Sequence, residues 1–189
     1  MPIKLHVMLF NKKSPFHWAR QHVAAMAVDM CSGRSFDLEF VKFKTNAFEI
    51  YKDEEANPFY QFLTNTNCNL GIATVYGEMD FDKFVEEIKK EFSDTKTYNC
   101  GTKNCADVVK YALDLLCPQK QCLDASFILY RITCFPIFLA TLGASCFPAL
   151  GITTPQDIFD KAKALAGTPE YGKPKEPAKE EKDNSYSIR

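Results

Sequence analysis

Residues 22–29, HVAAMAVD, are apolar at every position between two polar ends. Successive side chains of a strand point to opposite faces, so a segment of this kind needs cover on both sides and predicts the centre of a sheet. The strands around it follow from the same alternation. Residues 3–10 (IKLHVMLF) predict a strand that reaches the central one through the turn-like NKKSP, and CSGRS predicts the next turn. In FDLEFVKF, Phe36, Leu38 and Phe40 alternate with Asp37 and Glu39, which predicts an antiparallel neighbour with one buried and one polar face. Residues 69–75 (NLGIATV) predict the last strand, whereas residues 51–66 are polar and aromatic without clean periodicity, fitting a short helix or a loop beside a site.

Helices dominate the second half of the pattern. Asp80 predicts an N-cap for a helix whose Phe81, Phe84, Val85, Ile88 and Phe92 share one stripe. A second helix is expected from near Asn104, with Cys105, Val109, Ala112, Leu113 and Leu116 on its core side. Thr154 with Pro155 predicts the start of a third, ending near Ala166. Runs of strands followed by helices imply an α+β fold, an antiparallel sheet packed against helices. A chain of 189 residues, 46% hydrophobic and 25% charged, suits one domain with a single core, and a formal charge of -1 disfavours a nucleic-acid partner.

Between the second and third helices the composition changes. Ile132 and Ile152 bound a stretch without a charged residue, long enough at ~1.5 Å per residue to cross a bilayer, but Pro136 and Pro148 interrupt it. It fits a pair of buried helices within an extension over residues 124–152, or membrane contact. The domain is expected to cover residues 1–167, with residues 168–189, rich in Pro and charge, as a disordered tail. The short apolar run at the N-terminus, followed by Asn11, Lys12 and Lys13, does not match a signal peptide. A cytoplasmic location is therefore expected, and the eight cysteines are expected to stay reduced.

Chemistry concentrates in residues 98–105, YNCGTKNC. A thiol at the start of a helix sits among unpaired N–H groups and the positive end of the helix dipole, which favour thiolate, so Cys105 is a candidate nucleophile. Its plain alternative is a small buried residue at a helix start. A nucleophilic thiol needs a base that later returns the proton, and of the three histidines His22 opens the central strand, His6 lies inside the first and His17 falls in a loop. Asp37 is the candidate to orient His22, the alternative being an ordinary strand residue facing solvent. Cys100, Cys105, Cys117 and Cys122 repeat a four-residue gap that is a poor match to zinc sites, so no metal or other cofactor is expected.

A histidine opening a strand, followed by YNxxxxNC opening a helix, resembles the circularly permuted papain-like thiol hydrolases, with the NlpC-type core. Within them it is similar to the PPPDE peptidases, which include desumoylating isopeptidases, and to the lecithin retinol acyltransferase-like enzymes. Tyr98, Asn99, Asn104 and Cys105 carry the match, with the preceding GEMDFDKFVEEIKKEF in the place of the helix that leads into the motif. The continuation NCADV differs from the family's NCNxF or NCExF at Ala106 and Val108. The resemblance implies Cys105 as nucleophile, His22 as general base and acid, and the Cys105 N–H at the oxyanion, with Tyr98, Asn99 or Asn104 as supporting donors or loop-fixing residues. It implies a cysteine peptidase or isopeptidase that takes a ubiquitin-like protein conjugate. The alternatives are a lipid-directed acyltransferase or thioesterase, membrane-associated through the apolar stretch, and a non-catalytic interaction module whose tail resembles those of translocated bacterial effectors.

Overall fold

The computed structural model describes residues 2–11, 21–41, 48–64, 71–98, 103–118 and 154–173. Five strands form one antiparallel sheet: β1 (Pro2–Asn11), β2 (Gln21–Asp29), β3 (Ser35–Leu38), β4 (Ile50–Tyr51) and β5 (Gly71–Glu78), in the order β4-β3-β2-β1-β5. β2 is central, as its doubly apolar composition requires. Its odd positions Val23, Ala25 and Ala27 face one core, with Leu5, Val7, Phe36, Leu38 and Val75, and its even positions Ala24, Met26 and Val28 face another, with Met8 and Phe59. Small Ala side chains at the centre let the covering elements approach closely.

Helices α2 (Phe81–Phe92), α3 (Cys105–Leu116) and α4 (Pro155–Ala166) cover the first face. α2 is capped by Asp80, whose side chain accepts the Lys83 N–H, and its buried residues are Phe81, Phe84, Val85, Ile88 and Phe92, the stripe expected from the sequence. Full burial of each such side chain contributes about 1.5–3 kcal/mol. Thr154 and Asp157 form a capping box at α4, with Pro155 in the first turn. The second face is covered by residues 52–64, including the short helix α1 (Tyr60–Thr64), through Phe59, Phe62 and Leu63. Residues 52–64 thus contribute a layer of the fold, the short helix expected within 51–66 being part of it.

Three boundaries differ from expectation. β3 ends at Leu38, before the alternation of FDLEFVKF runs out. β5 continues to Glu78 because β1 offers partners that far, down to Pro2. The polar tail expected from Thr168 is folded as far as Lys173, since Tyr171 is buried and its carbonyl accepts the Tyr76 N–H on the edge strand. An aromatic side chain and one edge hydrogen bond outweigh a polar composition there. The apolar stretch between Ile132 and Ile152 lies outside the described residues; among those described, no helix is long and apolar enough to cross a membrane.

Candidate active site

Cys105 is the first residue of α3, and Asn104 is its N-cap. Asn104 Oδ1 accepts the Ala106 N–H at 2.7 Å, while Asp107 Oδ2 accepts the Asn104 N–H at 2.8 Å, a reciprocal capping box. The box fixes the helix start and with it the Cα–Cβ direction of Cys105. The thiol is buried, 5% exposed, in the core between the sheet and its helices. Asn104 thus holds the helix start with its acceptor oxygen.

The course of α3 along the sheet is set at both ends. Near its start, Lys103 Nζ donates to the Glu91 carbonyl at 2.6 Å, and neighbouring Phe92 meets Phe40 edge-on at 5.5 Å. Phe40 follows Leu38, which pairs with Ala25, so this contact lies toward the beginning of β2. At the other end, a Cβ on Gly77 would fall 2.7 Å from Leu116 Cβ, and Gly77 pairs with Ile3, itself paired with Asp29. α3 therefore runs the same way as β2, with Cys105 and His22 both at the starting end.

His22, 4% exposed, is the second residue of β2. Its ring lies 6.3 Å from that of Phe10, the residue opposite it on β1, and its Nε2 lies 3.2 Å from Glu39 Oε1. Phe10 belongs to the face covered by Phe59 and Phe62, with ring distances of 6.4 and 5.2 Å. Cys105 and His22 are thus brought to one end of the sheet but to opposite faces of it.

The other candidates are placed as follows. Asp37 is 1% exposed, and its Oδ1 accepts the Phe48 N–H at 2.9 Å. Phe48 has φ 64, in the left-handed region where a bulky side chain is strained, and packs its ring against Phe36 and Phe40. Asp37 thus holds a strained backbone in place, and it is buried where a solvent-facing strand residue was the alternative expectation. Tyr98, half-buried, packs its ring at 5.4 Å on Phe40. Asn99, His17, Cys100 and Cys122 lie outside the described residues. Among the described residues no cluster of His, Cys, Asp or Glu is arranged to hold a metal ion.

Two residues in contact with the candidate site were not singled out from the sequence, Glu39 beside His22 and Asp107 in the capping box. Asp107 had a signal, since Asn at a helix start with an acid three residues later matches a capping box. Glu39 had only the alternation that put it on the same face as Asp37. No family model, curated protein or solved structure matches this chain.

Proposed function

We propose that the protein is a cysteine hydrolase in which Cys105 attacks a carbonyl and His22 handles the proton, with a ubiquitin-like protein conjugate as the substrate class. The observation that carries this is the shared end: β2 and α3 run the same way, and an imidazole and a capped-helix thiol stand at their starts. The two side chains lie buried on opposite faces at that end, so the reaction requires a rearrangement that brings the His22 ring and the Cys105 thiol together.

In the first half-reaction the Cys105 thiolate adds to the carbonyl carbon of an amide or isopeptide. The C–S bond forms, the C–N bond breaks, and the imidazolium of His22 gives its proton to the departing amine. In the second, His22 takes a proton from water, whose oxygen adds to the thioester carbon. The C–S bond breaks, the acid is released and the thiolate returns. The tetrahedral oxyanion would form at the helix start, where the positive end of the dipole and the Cys105 N–H favour it. Asp107, one turn in, partly offsets the positive end of the helix, which puts more of the burden of thiolate formation on His22.

The test is alkylation of the thiols in the folded protein, read peptide by peptide, with exposed Cys31 as the internal reference. Cys105 is expected to react in the wild type, and the His22→Ala variant is expected to lower its rate by roughly a hundredfold at neutral pH while Cys31 is unchanged. Equal Cys105 rates in the two proteins would remove the dyad. Cleavage of a ubiquitin-like conjugate, lost in Cys105→Ala, establishes the substrate class; release of fatty acid from phospholipid vesicles in its place would assign the lipid-directed chemistry.

A further inference from the structure

We propose that Glu39 is a positioning residue that holds the His22 ring with its proton on Nε2, leaving Nδ1 as the basic nitrogen; the proposal rests on the Cys105–His22 reading for its catalytic meaning. A carboxylate only accepts hydrogen bonds, so the 3.2 Å approach of Glu39 Oε1 to Nε2 is a hydrogen bond when Nε2 carries the proton. In a neutral imidazole the other nitrogen then bears the lone pair. The side chains are 5% exposed for His22 and 23% for Glu39, so the pair is largely out of water and is screened far less than a surface ion pair.

The placement of Glu39 is imposed by its neighbours. Leu38 and Phe40, on either side, are fully buried in the helix-side core, and this pins the intervening side chain to the opposite face, where His22 lies. Phe10 flanks the ring with its centroid at 6.3 Å. Asp37 lies two residues earlier with the same facing and is engaged at the Phe48 N–H. The same carboxylate also stabilises the imidazolium formed when the ring accepts a proton, a role that depends on charge as well as on shape.

The experiment uses the full chain labelled with ¹⁵N-histidine. With three histidines in the sequence, the His22 signals are identified by their loss in His22→Ala. In the wild type, above the ring's titration, the two ¹⁵N shifts are expected to report protonated Nε2 and bare Nδ1. In Glu39→Leu they are expected to move toward a mixture of tautomers, with the His6 signals unchanged. Glu39→Gln keeps an acceptor oxygen, so it should keep the tautomer while losing the charge, and it remains informative if the Leu variant does not fold. Cys105 alkylation is expected to fall roughly tenfold or more in Glu39→Leu and to be partly rescued in Glu39→Gln. Unchanged His22 shifts in Glu39→Leu would overturn the proposal. A tautomer shift in a protein whose Cys105 ignores His22→Ala would support the positioning by Glu39 and remove the dyad instead.

Discussion

His6 and His22 point to the same face of the sheet, and each has a glutamate 3.2 Å from Nε2, yet their surroundings differ. His6 Nδ1 meets Thr74 Oγ1 at 2.9 Å, and its buried Nε2 faces Glu54 Oε1, while the other oxygen of that carboxylate accepts from Lys4 at 2.7 Å. Burial, then the positive charge of Lys4, push the His6 pKa down to about 4, against the opposing pull of Glu54. The unfolded chain, with a histidine near its ordinary value, then binds more protons than the folded one below about pH 6.5. The His6 contribution to stability is complete above that pH and is lost as pH falls toward 4, by at most about 1.4 kcal/mol per pH unit. Urea midpoints measured from pH 7 to pH 4.5 should fall more steeply for the wild type than for His6→Gln. Parallel curves would assign the acid sensitivity to other groups. Nothing local in the sequence separates these two histidines, since the glutamates come from other segments of the chain; the helix start at Cys105 was legible because the apolar stripe from Cys105 to Leu116 is local.

Elements were legible where one periodicity sufficed. The stripe of α2, the cap and proline of α4 and the double-sided β2 follow from local pattern alone. The ends of β3 and β5 did not, because a strand stops where its partner stops. The juncture of β5 with α3 shows how closely such elements meet. A Cβ at Gly77 would lie 2.7 Å from Leu116 Cβ and 2.8 Å from its carbonyl oxygen, so Gly77→Ala must displace the end of α3. Gly33 is a different case: its φ of 78 suits glycine, but no atom lies within 4 Å of an added Cβ. Gly33→Ala should therefore cost only the conformational term, about 1 kcal/mol, and Gly77→Ala more, about 1–3 kcal/mol. Thermal unfolding followed by circular dichroism should rank the two midpoints in that order. The reverse order would mean that α3 is not seated on Gly77.

At the scale of the molecule, the last described helix closes the first core. α4 lies across β5, β1 and β2 and beside α3, burying Ile158, Phe159, Ala162 and Leu165, and the turn after it brings Tyr171 onto the β5 edge. Such an arrangement joins residues distant in sequence, so local pattern predicted the helix without predicting what it covers. A polar contact joins α3 to α4: Asp114 binds Lys161 of α4 at 2.6 Å and Lys110 of its own helix at 2.8 Å. Burial opposes ionisation of Asp114, but the two lysines outweigh it and hold its carboxyl below the usual range. This half-buried pair contributes up to about 1 kcal/mol, whereas four buried apolar side chains contribute several times that. Lys161→Met should then lower the unfolding midpoint by only a few degrees. A chain ending before Thr154 should lose its cooperative transition and bind a hydrophobic dye, because the Val75 and Leu113 side of the core would be open to water. If that shortened chain unfolded with the wild-type midpoint, α4 would be an attachment to a core that is complete without it.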